Sequence, residues 1–237
     1  MRKINLPPKR SLPKFVFSAA AVILLLSASF PLPAVAADEE FAGERVVHLL
    51  QEPRHRTVHH EGDLYLLDVQ INPGDISLAH VHDQPILLTF ISSPDRPRNG
   101  EVSANIEYAT KADTHKVPNN GTGLFRIIAL VHDGEGNTDL TSDRPTGLSA
   151  EPQLENAWFR SYRVELAPGE ETAIQAHSSP SVVVQVADGL LRVTRSDGVS
   201  AELDEKAKWA WRDANEAYVV RNVGQVASAV VINEGRL

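Results

Sequence analysis

Hydrophobic positions recur in this chain with the two-residue period of strands. They fall in short runs broken by Gly, Pro, Asn and Asp, and no long stretch keeps a helical period. Tyr65, Leu67, Val69 and Ile71 alternate with less uniformly apolar neighbours up to a turn at Asn72-Pro73-Gly74. Ile76, Leu78, His80 and His82 then share one parity, and 85–91 is apolar on both faces, as in a strand buried within a sandwich. Runs from 100 to 108 and from 124 to 131 close a first unit, 44–135. A polar stretch with scattered Gly and Pro follows, predicting a linker at 136–154. Strands resume in a second unit, 155–237, at 158–166, 181–186, 190–194, 208–211, 218–221 and 226–232. So many short strands predict an all-β chain built as sandwich or barrel.

One frame is written twice. Pro73-Gly74 is followed by His80-Val81-His82 and later by His115-(x3)-Asn119-x-Gly121. Pro168-Gly169 is followed by Gln175-Ala176-His177 and later by Tyr218-(x3)-Asn222-x-Gly224. Gln175 thus stands where His80 stood, His177 where His82 stood, and Tyr218 where His115 stood. The pattern is that of a duplicated domain in which one copy keeps three histidines and the other keeps one.

The N-terminus predicts an export leader at 1–36. Arg2, Lys3, Lys9, Arg10 and Lys14 precede an apolar run at 15–30, and Ala34-Val35-Ala36 forms a small-x-small cleavage site. The run is short of the roughly 20 apolar residues a spanning helix needs; an uncleaved anchor is the other reading. Cleavage removes those five basic residues and no acidic ones. Of 23 Lys and Arg, 18 then face 31 Asp and Glu, a balance near −13. That argues against nucleic acid and against an anionic membrane surface after cleavage, and says little about a small ligand. The leader and the acidic mature chain together predict a periplasmic or secreted protein; a small-molecule ligand is expected, and a homodimer is left open. The chain has no cysteine. Stability must therefore come from its core, and any metal must be held by His, carboxylate and water.

His80 and His82 are two apart, so on a strand both imidazoles enter one interior. His115 arrives on a later strand. Three converging imidazoles suit one divalent transition metal (Fe, Mn, Ni, Zn or Cu), with positions left for water or substrate. The plainer reading of an inward His pair is a hydrogen-bonded core. Gln84 continues the His80–His82 parity and Asp83 does not, which places Gln84 behind the ligands. Arg126, inside an apolar run, either pairs with a carboxylate near the surface or holds a substrate carboxylate inside the barrel. Gln175, His177 and Tyr218 are a poor set for a divalent ion and are expected to pack a core or line a small pocket. His59 and His60 are adjacent, so they point to opposite faces. His48, His55 and His132 lie among polar residues and are expected to be solvated. Trp209 and Trp211 share one face as core or interface aromatics. No catalytic residue is assigned, and no Gly-x-Ser-x-Gly, dinucleotide or phosphate-loop motif occurs.

Gly74, His80, His82, His115 and Asn119 resemble the two motifs of the cupin superfamily, specifically its bicupin form, over most of residues 60–237. The resemblance implies two consecutive cupin-type β-sandwich or barrel domains, each a double-stranded β-helix, with the metal in the first and a degenerate second. It also implies oxygenase- or isomerase-like chemistry, or a binding protein without catalysis. The chain departs from the pattern where the motif has its glutamate ligand: the two allowed positions hold Ile86 and Leu87. Thr110 and Ala112 stand where the second motif has Pro and Gly.

Overall fold

The computed structural model describes residues 41–94 and 96–237; the leader expected at 1–36 lies outside the described residues. The first half contributes β1 (Val46–His48), β2 (His55–Glu61), β3 (Leu64–Ile71) and β4 (Ala79–His82). It continues with β5 (Ile86–Ser92), β6 (Pro97–Asn105), β7 (Asp113–His115) and β8 (Phe125–His132). Strands β2-β3-β8-β5-β6 form one sheet, and β1-β4-β7 a smaller one. The second half contributes β9 (Leu154–Glu155), β10 (Phe159–Leu166), β11 (Ser181–Gln185) and β12 (Leu191–Arg195). Then come β13 (Ser200–Leu203), β14 (Trp209–Arg212), β15 (Tyr218–Asn222) and β16 (Ser228–Gly235). Here the sheets run β9-β10-β16-β11-β14 and β13-β12-β15. The large sheets of the two halves share one strand order, with β3, β8 and β5 standing where β10, β16 and β11 stand.

Alternation along these strands sorts side chains into three cores. Leu67, Val69, Ile86, Ile127 and Ala129 fill the first half's interior. Tyr162, Val183, Val193, Val220 and Ile232 fill the second's, drawn from both of its sheets. The opposite parity of the same strands makes the third core, where Leu64, Leu66, Leu87, Ile128 and Leu130 meet Phe159, Val182, Val184 and Val231. The two large sheets therefore pack back to back, which is why 85–91 reads as apolar on both faces. Burying two sheet faces this way is the main stabilising term.

The contact is close and partly polar. A Cβ on Gly100 would lie 2.6 Å from Val186, and one on Gly235 would clash with the Leu64 side chain. Only hydrogen atoms fit at these two positions. Asn233 Nδ2 donates to Thr89 Oγ1 across the contact (2.8 Å), and Trp211 Nε1 donates to Glu61 (2.8 Å). Trp209 and Trp211 pack at the edge of this core, as interface aromatics.

The segment expected as a linker is irregular but fastened to the second half. Leu148 and Ala150 pack on that half's interior core. Arg160, fully buried, donates to the carbonyls of Leu140, Ser142 and Asp143. Arg236 donates to those of Asn137, Asp139 and Asn156. Buried guanidiniums satisfy a backbone that has no strand partner. Strand β2 was not expected from hydrophobicity: its sequence His-Arg-Thr-Val-His-His-Glu is that of a polar edge strand. No helix among the described residues is long and apolar enough to cross a membrane.

Candidate metal centre

Asparagine organises the loop that carries the third histidine. Asn119 Nδ2 donates to Ile71 O and Gly123 O, both at 2.8 Å, and its Oδ1 accepts from Gly121 N (3.1 Å). Its backbone N–H reaches Asp75 O and its carbonyl accepts from Gly74 N, so residues 117–119 run beside 74–77. Gly74, at φ 81°, makes the turn. This pairing leads into the antiparallel β4–β7 ladder, in which His80 opposes His115. Asn222 makes the same bonds in the second half, to Leu166 O, Val226 O and Gly224 N. The Ser77 and Thr172 hydroxyls likewise accept from Val117 N and Val220 N.

The structure brings His80, His82 and His115 together, their candidate ligand atoms within 4.8 Å of one another. Ring centroids stand 4.8–5.0 Å apart. Nδ1 of His80 is placed to donate to Leu78 O (2.9 Å), and Nδ1 of His115 to Asp113 (2.9 Å). With the protons assigned there, Nε2 of each ring is a free lone pair. Nε2 of His80 and both nitrogens of His82 are buried without a hydrogen-bond partner. Each of these two neutral rings thus keeps an unpartnered lone pair, which is costly in a closed core and fits a cation. Burial, reinforced by the neighbouring histidines, pushes His80 down to about 4 and His82 down to about 2. The rings are thus held neutral, as ligation requires.

A fourth histidine belongs to the site. His55 is 5% exposed rather than solvated, and its ring lies 4.6 Å from that of His80. Its Nδ1 bonds to Glu52 (2.7 Å), whose carboxylate also accepts from Arg54 N and Leu78 N. Burial lowers the His55 pKa against the opposing pull of Glu52. Pairing of His55 with Val69, a cavity residue, turns it inward. That register is invisible in a polar edge strand, and the Glu52-x-x-His55 spacing was the one available signal. His132 is also buried, bonded to Arg236 O and Gly134 N, while His48 pairs with Asp83. His59 packs at a tilt against Trp211 and His60 stacks on Tyr65, so the adjacent pair does diverge.

Beside the histidines is a cavity of about 170 Å³, lined by His55, His82 and His115. Its apolar wall includes Val69, Ile86, Leu88, Phe90, Phe125 and Ile127, and Tyr108 and Asn105 complete it. Ile86 lines the space where a fourth, carboxylate ligand would be sought. Two expected site residues lie elsewhere. β4 ends at His82, so Gln84 leaves its parity; it donates to Asp133 (2.6 Å) and lines an outer groove. Arg126 has the parity of Ile128 and Leu130, away from the cavity, and its guanidinium makes two 3.2 Å bonds to Asp68. The carboxylate-paired account of Arg126 is the one the geometry matches.

In the second half Gln175 and Tyr218 are backbone partners, as His80 and His115 are. His177 Nδ1 bonds to Glu234 (2.6 Å), and the Tyr218 hydroxyl is placed to donate to His177 Nε2 (3.1 Å). Burial drives the Tyr218 hydroxyl well above the usual phenol range. Glu234, itself paired with Arg160, was missed because it continues an apolar strand by only two residues. Every ring nitrogen here has a protein partner.

No family model matches the chain, and no curated protein matches it in sequence. Solved structures match in shape. AerE from Microcystis aeruginosa aligns with TM-score 0.53 and 9% identity, over 74% of this chain and 89% of that one. A single-residue variant of salicylate 1,2-dioxygenase from Pseudoaminobacter salicylatoxidans, in complex with gentisate, aligns with TM-score 0.54 and 10% identity, over 73% and 69%. A cupin domain from Bordetella pertussis is 24% identical over 38% of this chain and 95% of its own, at TM-score 0.34. The fold is all-β, a double-stranded β-helix architecture of cupin type.

Proposed function

We propose that this chain is an exported bicupin whose first half binds one divalent transition metal through His80, His82 and His115, and that it acts as a small-molecule metalloenzyme with oxygenase- or isomerase-like chemistry. The observation that carries the reading is the convergence of three imidazoles, two of them buried, with Nε2 of His80 and both ring nitrogens of His82 lacking a protein partner. A metal held there supplies Lewis acidity and open coordination positions for water, dioxygen or a substrate oxygen. The likeness to a salicylate 1,2-dioxygenase supports the oxygenase branch by analogy of fold. The second half is read as a duplicated copy whose ligand positions became a hydrogen-bonded core, on the strength of the repeated Asn119 and Asn222 networks. Export to the periplasm is proposed from the leader at 1–36. A non-catalytic ligand-binding protein is the alternative, favoured by Ile86 in place of a carboxylate.

Metal content of protein purified from the periplasm without a histidine tag tests the proposal. About one equivalent per chain is expected, and His115→Ala should remove most of it, since two imidazoles from one strand hold a metal far more weakly than three. Untagged protein that carries no metal and takes up none from micromolar Zn, Mn, Ni or Fe(II) would leave the binding-protein reading.

A further inference from the structure

The two halves differ by one hairpin, and the difference opens the first half. Counting from the shared Pro-Gly turns and following the strand pairing, Leu88 and Phe90 stand where Val183 and Gln185 stand, and Ser103 where Ala210 stands. Val117 and Phe125 likewise match Val220 and Ser228. In the second half the chain between β11 and β14 makes β12 and β13. β12 pairs with β15, and Leu191, Val193 and Leu203 of this hairpin share a core with Val183, Ala210 and Val220. In the first half β5 passes to β6 through 93–96 alone. β7, the counterpart of β15, is therefore the last strand of its sheet, and β6 the last of the other.

Burial follows the missing hairpin. Val183, Gln185, Ala210, Val220 and Ser228 are all buried. Leu88, Phe90, Val117 and Phe125 are half-buried, and Ser103, which opposes Leu88 and so shares its face, is exposed. Those four half-buried residues also line the cavity beside the histidines. The floor of the gap between β6 and β7 is thus continuous with the wall of the cavity. Its rim is charged: the Arg98 guanidinium stands 4.5 Å from the centroid of the Phe90 ring and donates to Glu101 (3.0 Å), with its Nε buried and unpartnered. An apolar floor under a charged rim, leading inward to polar groups, is the form of a ligand site rather than of a closed core. Length then matters. A dry cavity of roughly 150 Å³ accommodates a benzene ring. At about 170 Å³ the cavity alone ends after one ring's worth of carbon, whereas the floor continues past it.

We propose that the gap between β6 and β7 is the entrance to the histidine cavity and holds the body of an elongated ligand. One polar end lies at the histidines, an alkyl-type chain runs along Leu88, Phe90 and Phe125, and the far end meets water beside Arg98. This rests on the small-molecule reading of the same site but not on a bound metal.

The test is calorimetric titration of the protein as purified with 1-butanol, 1-hexanol, 1-octanol and 1-decanol. Metal content is measured on the same sample, so that this proposal and the metalloenzyme reading fail separately. Each methylene fully buried raises affinity about four-fold. With one side of the chain on the floor, 1-octanol should bind about five-fold or more tightly than 1-hexanol. Ser103→Trp puts an indole into the gap from an exposed position on an edge strand. It should leave 1-butanol unchanged and bring 1-octanol down to the level of 1-hexanol. If that variant does not fold, the chain-length series on the natural chain decides. Affinity that levels off at 1-hexanol would mean a closed cavity and overturn the proposal, with the small-molecule reading intact. No binding by any alkanol would overturn both. A 1-octanol gain that survives in Ser103→Trp would put the chain elsewhere and also overturn it. Sedimentation should give one oligomeric state for both proteins; a dimer that Ser103→Trp dissociates would assign the gap to a second copy instead.

Discussion

His80 and His115 oppose each other across the β4–β7 ladder, with ring centroids 4.8 Å apart, although 34 residues separate them in the chain. That pairing, not sequence proximity, gathers the site. It depends on the Asn119 loop, which brings 117–119 alongside 74–77 before β7 reaches β4.

Asn119→Ala and Asn222→Ala should therefore separate stability from binding. Each variant loses two donated bonds to buried carbonyls, at a cost of about 2–3 kcal/mol. Urea denaturation should show similar losses for both. Metal titration should weaken for Asn119→Ala alone; equal weakening in both variants would mean the loop does not position His115.

The metal-free protein should lose stability as pH falls below about 6.5. His80 and His82 are depressed to about 4 and about 2, so in that window the unfolded chain binds protons that the folded one refuses. Each ring contributes up to about 1.4 kcal/mol of loss per pH unit, from about 6.5 down to its folded value, and nothing above about 7.5. His55 and His132, lowered chiefly by burial, act in the same direction. Denaturation midpoints measured from pH 8 to 5 check this, and His82→Asn should flatten the curve. An unchanged slope in that variant would show that His82 is not held neutral.

In the second half, Tyr218→Phe removes one buried hydroxyl and should cost about 1 kcal/mol. His177→Leu strips Glu234 of a 2.6 Å partner in a buried position and should cost about 3 kcal/mol. Metal content should stay as in the natural chain in both. Loss of metal from either would place a second ion in this half.

Arg126→Met should lower stability by about 1–2 kcal/mol, because Asp68 loses two of its bonds while keeping Arg56 and Gln70. Ligand and metal binding should be unaffected. A selective loss of ligand affinity would return the guanidinium to the barrel.

Much of this was legible in the sequence because strand parity and the doubled Pro-Gly frame are local patterns. The all-β class, the two-sided burial of 85–91 and the convergence of His80, His82 and His115 all follow from them. Gln84 failed because parity holds only while a strand continues, and β4 ends at His82. Arg126 was undecided because parity gives a face without saying which face is the interior. His55 was missed for a related reason: a polar edge strand has no hydrophobic period, so its register waits on the partner strand, and Glu52, in the turn before it, went unnoticed with it.

The back-to-back packing of the two large sheets ties the cavity to residues that never touch a ligand. Val69, Ile86 and Ile127 line the cavity from the same strands whose other faces, at Leu66, Leu87 and Ile128, rest on Val182 and Val184. A volume change at Val184 is thus felt one peptide plane away, in the wall that shapes the ligand. Selection on the chemistry of the first half then constrains sequence in the second, and substitutions on the two sides of the contact should be epistatic even when neither contributes an atom to the site.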